Sequence, residues 1–151
     1  MAISRNAQEI ADSIAIEFSL LPESAKLEYL LEFSESLKPL PNRYAEHPDL
    51  LEKVEECQSP VYLFVEIDNL KKAHIFITAP VEAPTTRAFA AILHDILDDQ
   101  EIDDISVFDD EFPLKLGLTS LVSPLRIHGM MGMLRRIKRQ IRDKASSGLE
   151  L

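Results

Sequence analysis

The sequence predicts an α+β fold in which a small three-stranded antiparallel sheet packs against several helices. Two segments, residues 61–68 and 73–77, alternate apolar and polar side chains with a period of two, as half-buried strands do. The turn signal Asp68-Asn69 lies between them and favours antiparallel pairing. Other segments carry apolar residues at helical spacing. Because three strands alone bury too little surface to be stable, we expect these helices to cover the sheet.

The chain before the sheet predicts two helices, a loop and a short strand. Asn6 begins a capping-box pattern that starts the first helix. Pro22 occupies a first-turn position of the second helix, which ends before Pro39. Residues 40–49 are rich in proline and polar side chains and are expected to form a loop. The first strand is predicted around residues 53–55.

Two longer helices are predicted after the sheet. The segment Pro84–Leu97 carries an apolar stripe at helical spacing and is the natural cover for the sheet. Ser123 and Pro124 have the residue types of an N-cap and a first helical position, so a last helix runs from there to about Ala145.

Two glycines, Gly129 and Gly132, fall inside this last helix. Each costs about 1 kcal/mol of helix stability relative to alanine. We therefore expect another part of the chain to approach the helix backbone closely at these positions.

Length and composition indicate one domain over residues 1–151, with residues 146–151 as a frayed tail. The chain is 46% hydrophobic and 28% charged, which is typical of a soluble globular protein. It contains no apolar run long enough to cross a bilayer and no signal-peptide pattern, so a cytoplasmic location is expected. A single cysteine excludes an internal disulfide and a cysteine-rich metal or cluster site.

The charge distribution is uneven. A net charge of −10 argues against a nucleic-acid partner, because a phosphate backbone requires clustered basic residues. Residues 126–145 nevertheless contain seven basic side chains and one acidic one. We favour a helix face that folds back onto acidic neighbours over a docking surface. Residues 95–111 contain nine acids, but their spacing does not match a calcium loop, so short acid-rimmed helical turns are expected and no metal site.

The only cysteine, Cys57, lies just before the strand that starts at Val61. A thiol is the side-chain nucleophile that needs least activation at neutral pH, since a few per cent is already ionised. A free cysteine also commonly fills space as a small apolar group. The residue types alone leave both interpretations open.

Three stretches resemble signatures of the SufE family, the sulfur acceptors of cysteine desulfurases in iron–sulfur cluster assembly. Residues 57–63 resemble the part of the signature G-C-Q-S-x-V-W that starts at its cysteine. The cysteine of the signature falls on Cys57, its glycine on position 56 and its tryptophan on Tyr62. Residues 79–93 are similar to A-D-S-D-A-x-I-V-R-G-L-A-A-L-L. Residues 118–130 are similar to L-x-x-x-L-S-P-x-R-x-x-G-L, in which the arginine is Arg126.

The resemblance implies a SufE/NifU-like fold and a sulfur-transfer function. Cys57 would accept sulfur from the persulfide of a SufS-type cysteine desulfurase and pass it to iron–sulfur scaffold proteins. The acceptor itself would need no cofactor, because pyridoxal phosphate belongs to the desulfurase. Gln58 and Ser59 would hydrogen-bond the sulfur anion. Arg126 would supply positive charge or bind the partner. A salt bridge between Arg126 and the acidic part of the protein is an equal alternative. Arg87 is a weaker functional candidate.

Glu56 stands where the family has glycine. Together with Glu55 it places negative charge beside the thiol, which raises the pKa of Cys57 by about half a unit to two units. The sequence therefore predicts a slowly reacting thiol in the free protein.

The residue types leave two further functions open. A thiol hydrolase would pair Cys57 with His47, His74 or His128 and would need an oxyanion hole. A non-catalytic interaction domain would hold Cys57 as inert packing.

Overall fold

The computed structural model describes residues 5–148, in which helices pack on a four-stranded antiparallel sheet. The helices are α1 (Ala7–Ser19), α2 (Glu23–Ser36), α3 (Asn42–Ala45), α4 (Pro84–Leu97), α5 (Ile102–Ser106) and α6 (Pro124–Gly148). The strands are β1 (Glu52–Lys53), β2 (Tyr62–Ile67), β3 (Lys72–Thr78) and β4 (Gln100–Glu101), and short 3-10 turns lie at Pro48–Leu50 and Phe112–Lys115. The predicted α+β class is confirmed.

The sheet follows chain order, β1-β2-β3-β4, and the predicted alternation sets which face is buried. Leu63 of β2 pairs with Ile77 of β3, and Val65 pairs with Ile75. All four side chains are buried, and α4 contacts β3 while α6 contacts β2. The prediction that α4 covers the sheet is confirmed, and α6 shares that role.

The sheet has four strands, so the prediction of three was wrong. The extra strand, β4, is only two residues long and carries no apolar alternation. Asp99 adopts a positive φ of 64°, and its N–H donates to the carbonyl of Ala73 at 2.7 Å. This turn lays Gln100 opposite Ala73 at the edge of the sheet. Because this pairing depends on one turn and two backbone contacts, the sequence shows no alternation of apolar and polar residues at β4.

Two segments expected to be irregular contain helix. The loop predicted over residues 40–49 includes α3 and the start of a 3-10 turn. Helix α6 continues to Gly148 and so includes the first residues of the tail that was predicted from residue 146, and residues 149–151 lie outside the described chain. A helix that is already formed adds residues without repeating the cost of nucleation, which explains the extension.

The basic face of α6 folds back onto the protein, as the favoured interpretation of its charges predicts. Arg136 and Arg139 form salt bridges with Glu52 of β1. On another side of the helix, Lys138 pairs with Asp110 at 2.7 Å. These contacts fasten α6 to the sheet and to the acid-rich segment.

Close approach to α6 occurs at both glycines, which confirms the prediction drawn from their position. A Cβ placed on Gly129 would lie 3.0 Å from the Sγ of Cys57. A Cβ placed on Gly132 would lie 2.7 Å from the Cδ of Glu56 and 2.8 Å from its Cβ and Cγ. The partner at this contact is therefore the segment that carries the cysteine.

Substitution of Gly132 should test this contact. Gly132→Ala is expected to lower the free energy of unfolding by about 1–3 kcal/mol, because the added methyl group overlaps the Glu56 side chain. In a Glu56→Gly background, where those atoms are absent, the same substitution should instead stabilise by up to about 1 kcal/mol through helix propensity. Urea denaturation of the four proteins in this double-mutant cycle measures both values. An equal loss in the two backgrounds would contradict the proposed overlap.

Candidate functional site

The candidate site begins with the cysteine loop, which we define as residues 54–61 between β1 and β2. The N–H of Val54 donates to the carbonyl of Val61 at 2.8 Å, which closes the base of the loop. The N–H of Cys57 donates to the carbonyl of Val54 at 3.1 Å. Both valines are fully buried, so the two ends of the loop are fixed in the core. The predicted position of Cys57 at a strand entrance is confirmed.

A cluster of charged and amide side chains ties this loop to α6. We call it the anchor cluster, and it comprises Glu52, Glu56, Arg135, Arg136, Arg139 and Gln140. The guanidinium of Arg136 donates to Oε1 of Glu56 through Nε at 3.0 Å and Nη2 at 2.8 Å, and through Nη1 to Oε2 of Glu52 at 2.7 Å. Arg136 thus bridges the strand before the loop and the residue before the cysteine.

The remaining members surround the two carboxylates of the anchor cluster. Nε2 of Gln140 donates to Oε1 of Glu52 at 2.8 Å, and Arg139 donates to the other oxygen of Glu52. Nη2 of Arg135 lies 3.6 Å from Oε2 of Glu56. Burial alone would raise the pKa of Glu56, but hydrogen bonding from Arg136 and the charges of both arginines outweigh it, so the pKa lies below its usual value. Glu56 is therefore held in its ionised form.

A small depression opens beside the thiol, with a volume of about 40 Å³. It is lined by Cys57, Gln58, Ser59, Thr86, Leu125, Arg126 and Gly129. Four of these, Cys57, Gln58, Ser59 and Arg126, are residues that the sequence predicted for the site, and the structure brings them together. A volume of this size has room for a few heavy atoms, since a cavity needs only about 10–15 Å³ of this kind of volume to hold one water molecule.

Arg126 lines the depression from the first turn of α6 and is exposed to solvent. No residue between 5 and 148 forms a salt bridge or a hydrogen bond with its guanidinium. The alternative in which Arg126 pins the last helix to the acidic body is therefore not found in this part of the chain. Its guanidinium remains available to a bound group or to another protein.

Arg87 does not line the depression. Its Nε donates to the carbonyl of Ser34 at 2.9 Å, and its Nη1 donates to the carbonyl of Ala79 at 2.5 Å. These bonds join the end of α2 to the segment that follows β3. Arg87 therefore fastens the scaffold, and the expected functional contribution has no geometric support.

The thiol of Cys57 is half-buried and weakly acidic. Burial raises the pKa of Cys57 to about 11; the charge of Glu56 adds to the increase and that of Arg136 opposes it. The predicted direction is confirmed, but burial is the larger cause. Glu55 is exposed and does not add to this effect, unlike in the prediction. The free protein therefore holds a protonated thiol at neutral pH.

The three histidines proposed as bases do not pair with the thiol. Nε2 of His74 lies 2.8 Å from Oδ2 of Asp68, and no histidine lines the depression. Within residues 5–148, Cys57 has no hydrogen bond to an imidazole. The geometry of a Cys–His nucleophile is therefore missing from this part of the chain.

A larger groove of about 310 Å³ lies elsewhere, between β3 and residues 38–41. Arg43 and Glu66, which line it, pair with each other at 3.0 Å, and His94 lies 3.8 Å from Asp98. The groove holds no thiol, and two pairs of its charged groups contact each other. The volume of a cavity therefore does not identify the functional site of this protein. The thiol chemistry of Cys57 identifies it.

Sequence reasoning missed three residues of this region. Thr86 and Leu125 belong to the first turns of α4 and α6, and only the packing of both helices against the loop brings them beside Cys57. Arg136 was counted among the basic residues of α6 without its partner. The detectable signal was Glu56 beside the cysteine, because a half-buried carboxylate requires a cation nearby.

Two searches of residues 5–148 bear on other site types. No group of three or more histidine, cysteine, aspartate or glutamate side chains has the arrangement to hold a metal ion. None of the described helices combines the length and apolar character needed to span a membrane.

Comparisons with known proteins agree with the sequence resemblance. The sequence model of the SufE family, described as an Fe-S metabolism associated domain, matches residues 12–141. Uncharacterized SufE-like proteins of two Mycobacterium tuberculosis strains are 43% identical over 130 residues, or 86% of this chain and 90% of each relative. The cysteine desulfuration protein SufE of Wigglesworthia glossinidia brevipalpis is 24% identical over 115 residues, or 76% of each chain.

A solved structure shares the fold. The solution structure of a hypothetical protein from Thermus thermophilus matches with a TM-score of 0.78 and 27% identity, covering 91% of this chain and 96% of the other. The family match over most of the sequence, the relatives at 43% identity and the shared fold establish that this chain belongs to the SufE family.

Proposed function

We propose that this protein is a sulfur acceptor in which Cys57 takes a sulfane sulfur from the persulfide of a pyridoxal-phosphate cysteine desulfurase of the SufS type. The protein then stimulates the desulfurase and delivers the sulfur to iron–sulfur scaffold proteins in the cytoplasm. The observation that carries the proposal is the depression, in which one thiol faces Gln58, Ser59 and Arg126. The name of the Wigglesworthia relative, a cysteine desulfuration protein, supports the same role.

The transfer step is an exchange at sulfur. The thiolate of Cys57 attacks the outer sulfur of the desulfurase persulfide, and a new S–S bond forms on Cys57. The S–S bond of the desulfurase breaks, and its cysteine leaves with the electron pair as a thiolate that takes up the proton lost by Cys57. One thiol and one persulfide become one persulfide and one thiol, so no oxidant, reductant or cofactor on the acceptor is required.

The weak acidity of Cys57 fits a carrier that reacts only with its partner. With a pKa of about 11, about one molecule in ten thousand is a thiolate at pH 7. Stray electrophiles therefore meet an unreactive thiol. The desulfurase must supply the environment that ionises it, through positive charge or hydrogen-bond donors in the complex.

The face around the depression offers a contact surface for that partner. Leu125 is 48% exposed although it is large and apolar, and Arg126 beside it is exposed without an internal partner among residues 5–148. Arginine is enriched at protein–protein interfaces, and an exposed apolar side chain beside it adds surface that a partner can bury. We therefore assign the first turn of α6 to desulfurase binding.

The alternatives fit the geometry less well. A thiol hydrolase requires a fixed Cys–His pair, and His74 instead contacts Asp68. An inert structural cysteine is expected to be fully buried, whereas Cys57 is half-buried and lies at the wall of an open depression.

Sulfur transfer to Cys57 is directly measurable. After incubation with a cysteine desulfurase and cysteine, intact mass should show about one added sulfur atom, about 32 Da, that a reductant removes. Cys57→Ser should lower the free energy of unfolding by no more than about 1 kcal/mol, because the side chain is half-buried, and should gain no sulfur. Reducible sulfur on the serine variant would contradict the role of Cys57, and failure of the wild type to gain sulfur would contradict the proposed function.

Arg126 should act on partner binding and not on stability. Arg126→Ala is expected to raise the concentration needed for half-maximal desulfurase stimulation by about tenfold, the effect of losing about 1.4 kcal/mol at an interface. Its free energy of unfolding should stay within about 0.5 kcal/mol of the wild type, because the side chain is exposed. The matched control is Arg142→Ala, which removes another exposed arginine of α6 and should leave stimulation unchanged. Equal losses in the two variants would point to net charge alone.

The carboxylate next to the thiol should shift its ionisation. Removing the charge in Glu56→Gln favours the thiolate, so the midpoint of Cys57 alkylation against pH should fall below about 11, by about half a unit. Most of the elevation should remain because burial causes it. Glu55→Gln, at an exposed neighbouring carboxylate, should leave the midpoint in place. Identical profiles for Glu56→Gln and wild type would show that Glu56 does not tune the thiol.

A further inference from the structure

The depression beside Cys57 is lined by a threonine whose hydroxyl has no role in the sulfur-acceptor proposal. Thr86, at the start of α4, is only 8% exposed and lines the depression together with the thiol. No residue in the described range 5–148 forms a hydrogen bond with the Thr86 hydroxyl. Every fully buried side-chain oxygen in that range has a hydrogen-bond partner, so the Thr86 oxygen is not fully buried and opens onto the depression. The hydroxyl is therefore free to bond to a group inside the depression.

The surroundings of this hydroxyl favour negative charge. Helix α4 begins at Pro84, and Ala83 before it supplies no side-chain cap, so the first turn has N–H groups without a side-chain acceptor. The first turn of the 25-residue helix α6 forms the opposite wall through Leu125 and Arg126. The N-terminus of a helix carries a partial positive charge. Residues from the first turns of both helices, including the cationic Arg126, therefore line the same small space.

The position of the thiol directs an added sulfur into that space. Sγ of Cys57 is seated against the bare backbone of Gly129, so it cannot move further toward α6. A second sulfur would lie about 2 Å beyond Sγ, the length of an S–S bond. The depression of about 40 Å³ accommodates one such atom.

We propose that Thr86 is a sulfur-binding residue whose hydroxyl donates a hydrogen bond to the outer sulfur of a persulfide on Cys57. This inference rests on the proposed sulfur-acceptor function and extends it to the stored intermediate. The donor stabilises the persulfide anion while the protein travels between desulfurase and scaffold.

The test uses the full-length protein loaded with sulfur from inorganic polysulfide, without a desulfurase. The alkylation rate of the Cys57 persulfide is measured against pH by intact mass, in parallel with that of the unloaded thiol. Thr86→Val keeps the side-chain shape and removes the hydroxyl, and it should raise the apparent pKa of the persulfide by about one unit. Thr86→Ser keeps the hydroxyl and should retain the wild-type profile. Thr85→Val, a neighbouring threonine that does not line the depression, is the matched control and should also leave the profile unchanged.

The pH profile of alkylation of the unloaded thiol shows whether Thr86 acts on the outer sulfur of the persulfide or on Cys57 in general. Its profile should move less in Thr86→Val than that of the persulfide, since Sγ is seated at Gly129. Thermal melts establish that each variant is folded, and Thr86→Ala replaces Thr86→Val if that protein does not fold. Coincident persulfide profiles for wild type and Thr86→Val, or equal shifts in the valine and serine variants, would overturn the proposal. Because loading is chemical, a wild type that accepts no sulfur from a desulfurase would refute the proposed function and leave the test of Thr86 intact.

Discussion

The contact between the cysteine loop and the bare backbone of α6 is the constraint on which the rest of the site depends. At Gly132 any Cβ would lie less than 3.0 Å from Glu56, and at Gly129 a Cβ would lie 3.0 Å from the Sγ of Cys57 and would force it to shift. Both glycines weaken the helix by their backbone freedom. The loop can therefore lie against α6 only because the sequence accepts a locally less stable helix, which the buried Met130, Met133 and Leu134 hold in place by packing against the core.

Charge pairing then makes this contact specific. Glu56 is partly withdrawn from water beside a thiol, which by itself is unfavourable for both groups. Arg136 compensates the carboxylate directly and also lowers the pKa of the thiol, while burial acts in the opposite direction and is the larger influence. The same arginine contacts Glu52, so the strand, the loop and the helix share one cation. A single side chain thereby couples the position of the sulfur atom to the packing of the sheet.

Much of this arrangement was predictable from the sequence, and the rest depends on contacts between distant segments. The alternation in residues 61–68 and 73–77 predicts β2 and β3 because burial on one face imposes a period of two. The glycines in α6 predict a close approach, although not the identity of the approaching segment. Strand β4, by contrast, arises from a turn at Asp99 that has no periodic signature.

The functional residues also fall into two groups, those predicted from local sequence motifs and those that depend on contacts between distant segments. Cys57, Gln58, Ser59 and Arg126 were predicted because they belong to continuous motifs that resemble a known family. Thr86 was not predicted, since a threonine in the first turn of a helix is ordinary until the cysteine loop packs beside that turn. The pairing of Arg136 with Glu56 joins residues 80 positions apart, and single-sequence reasoning gives no means to choose among the several arginines of α6.

The spacing of the residues on α6 limits how the chain can change in length. Gly129, Gly132 and Arg136 are separated by three and then four residues, so all three face the cysteine loop on successive turns of the helix. Each residue of an α-helix advances the side-chain direction by about 100°. Insertion or deletion of a single residue between Gly132 and Arg136 would therefore turn the guanidinium away from Glu56 while leaving the glycine contacts in register. The contact therefore fixes the number of residues between Gly132 and Arg136 as well as the identity of the residues at its ends.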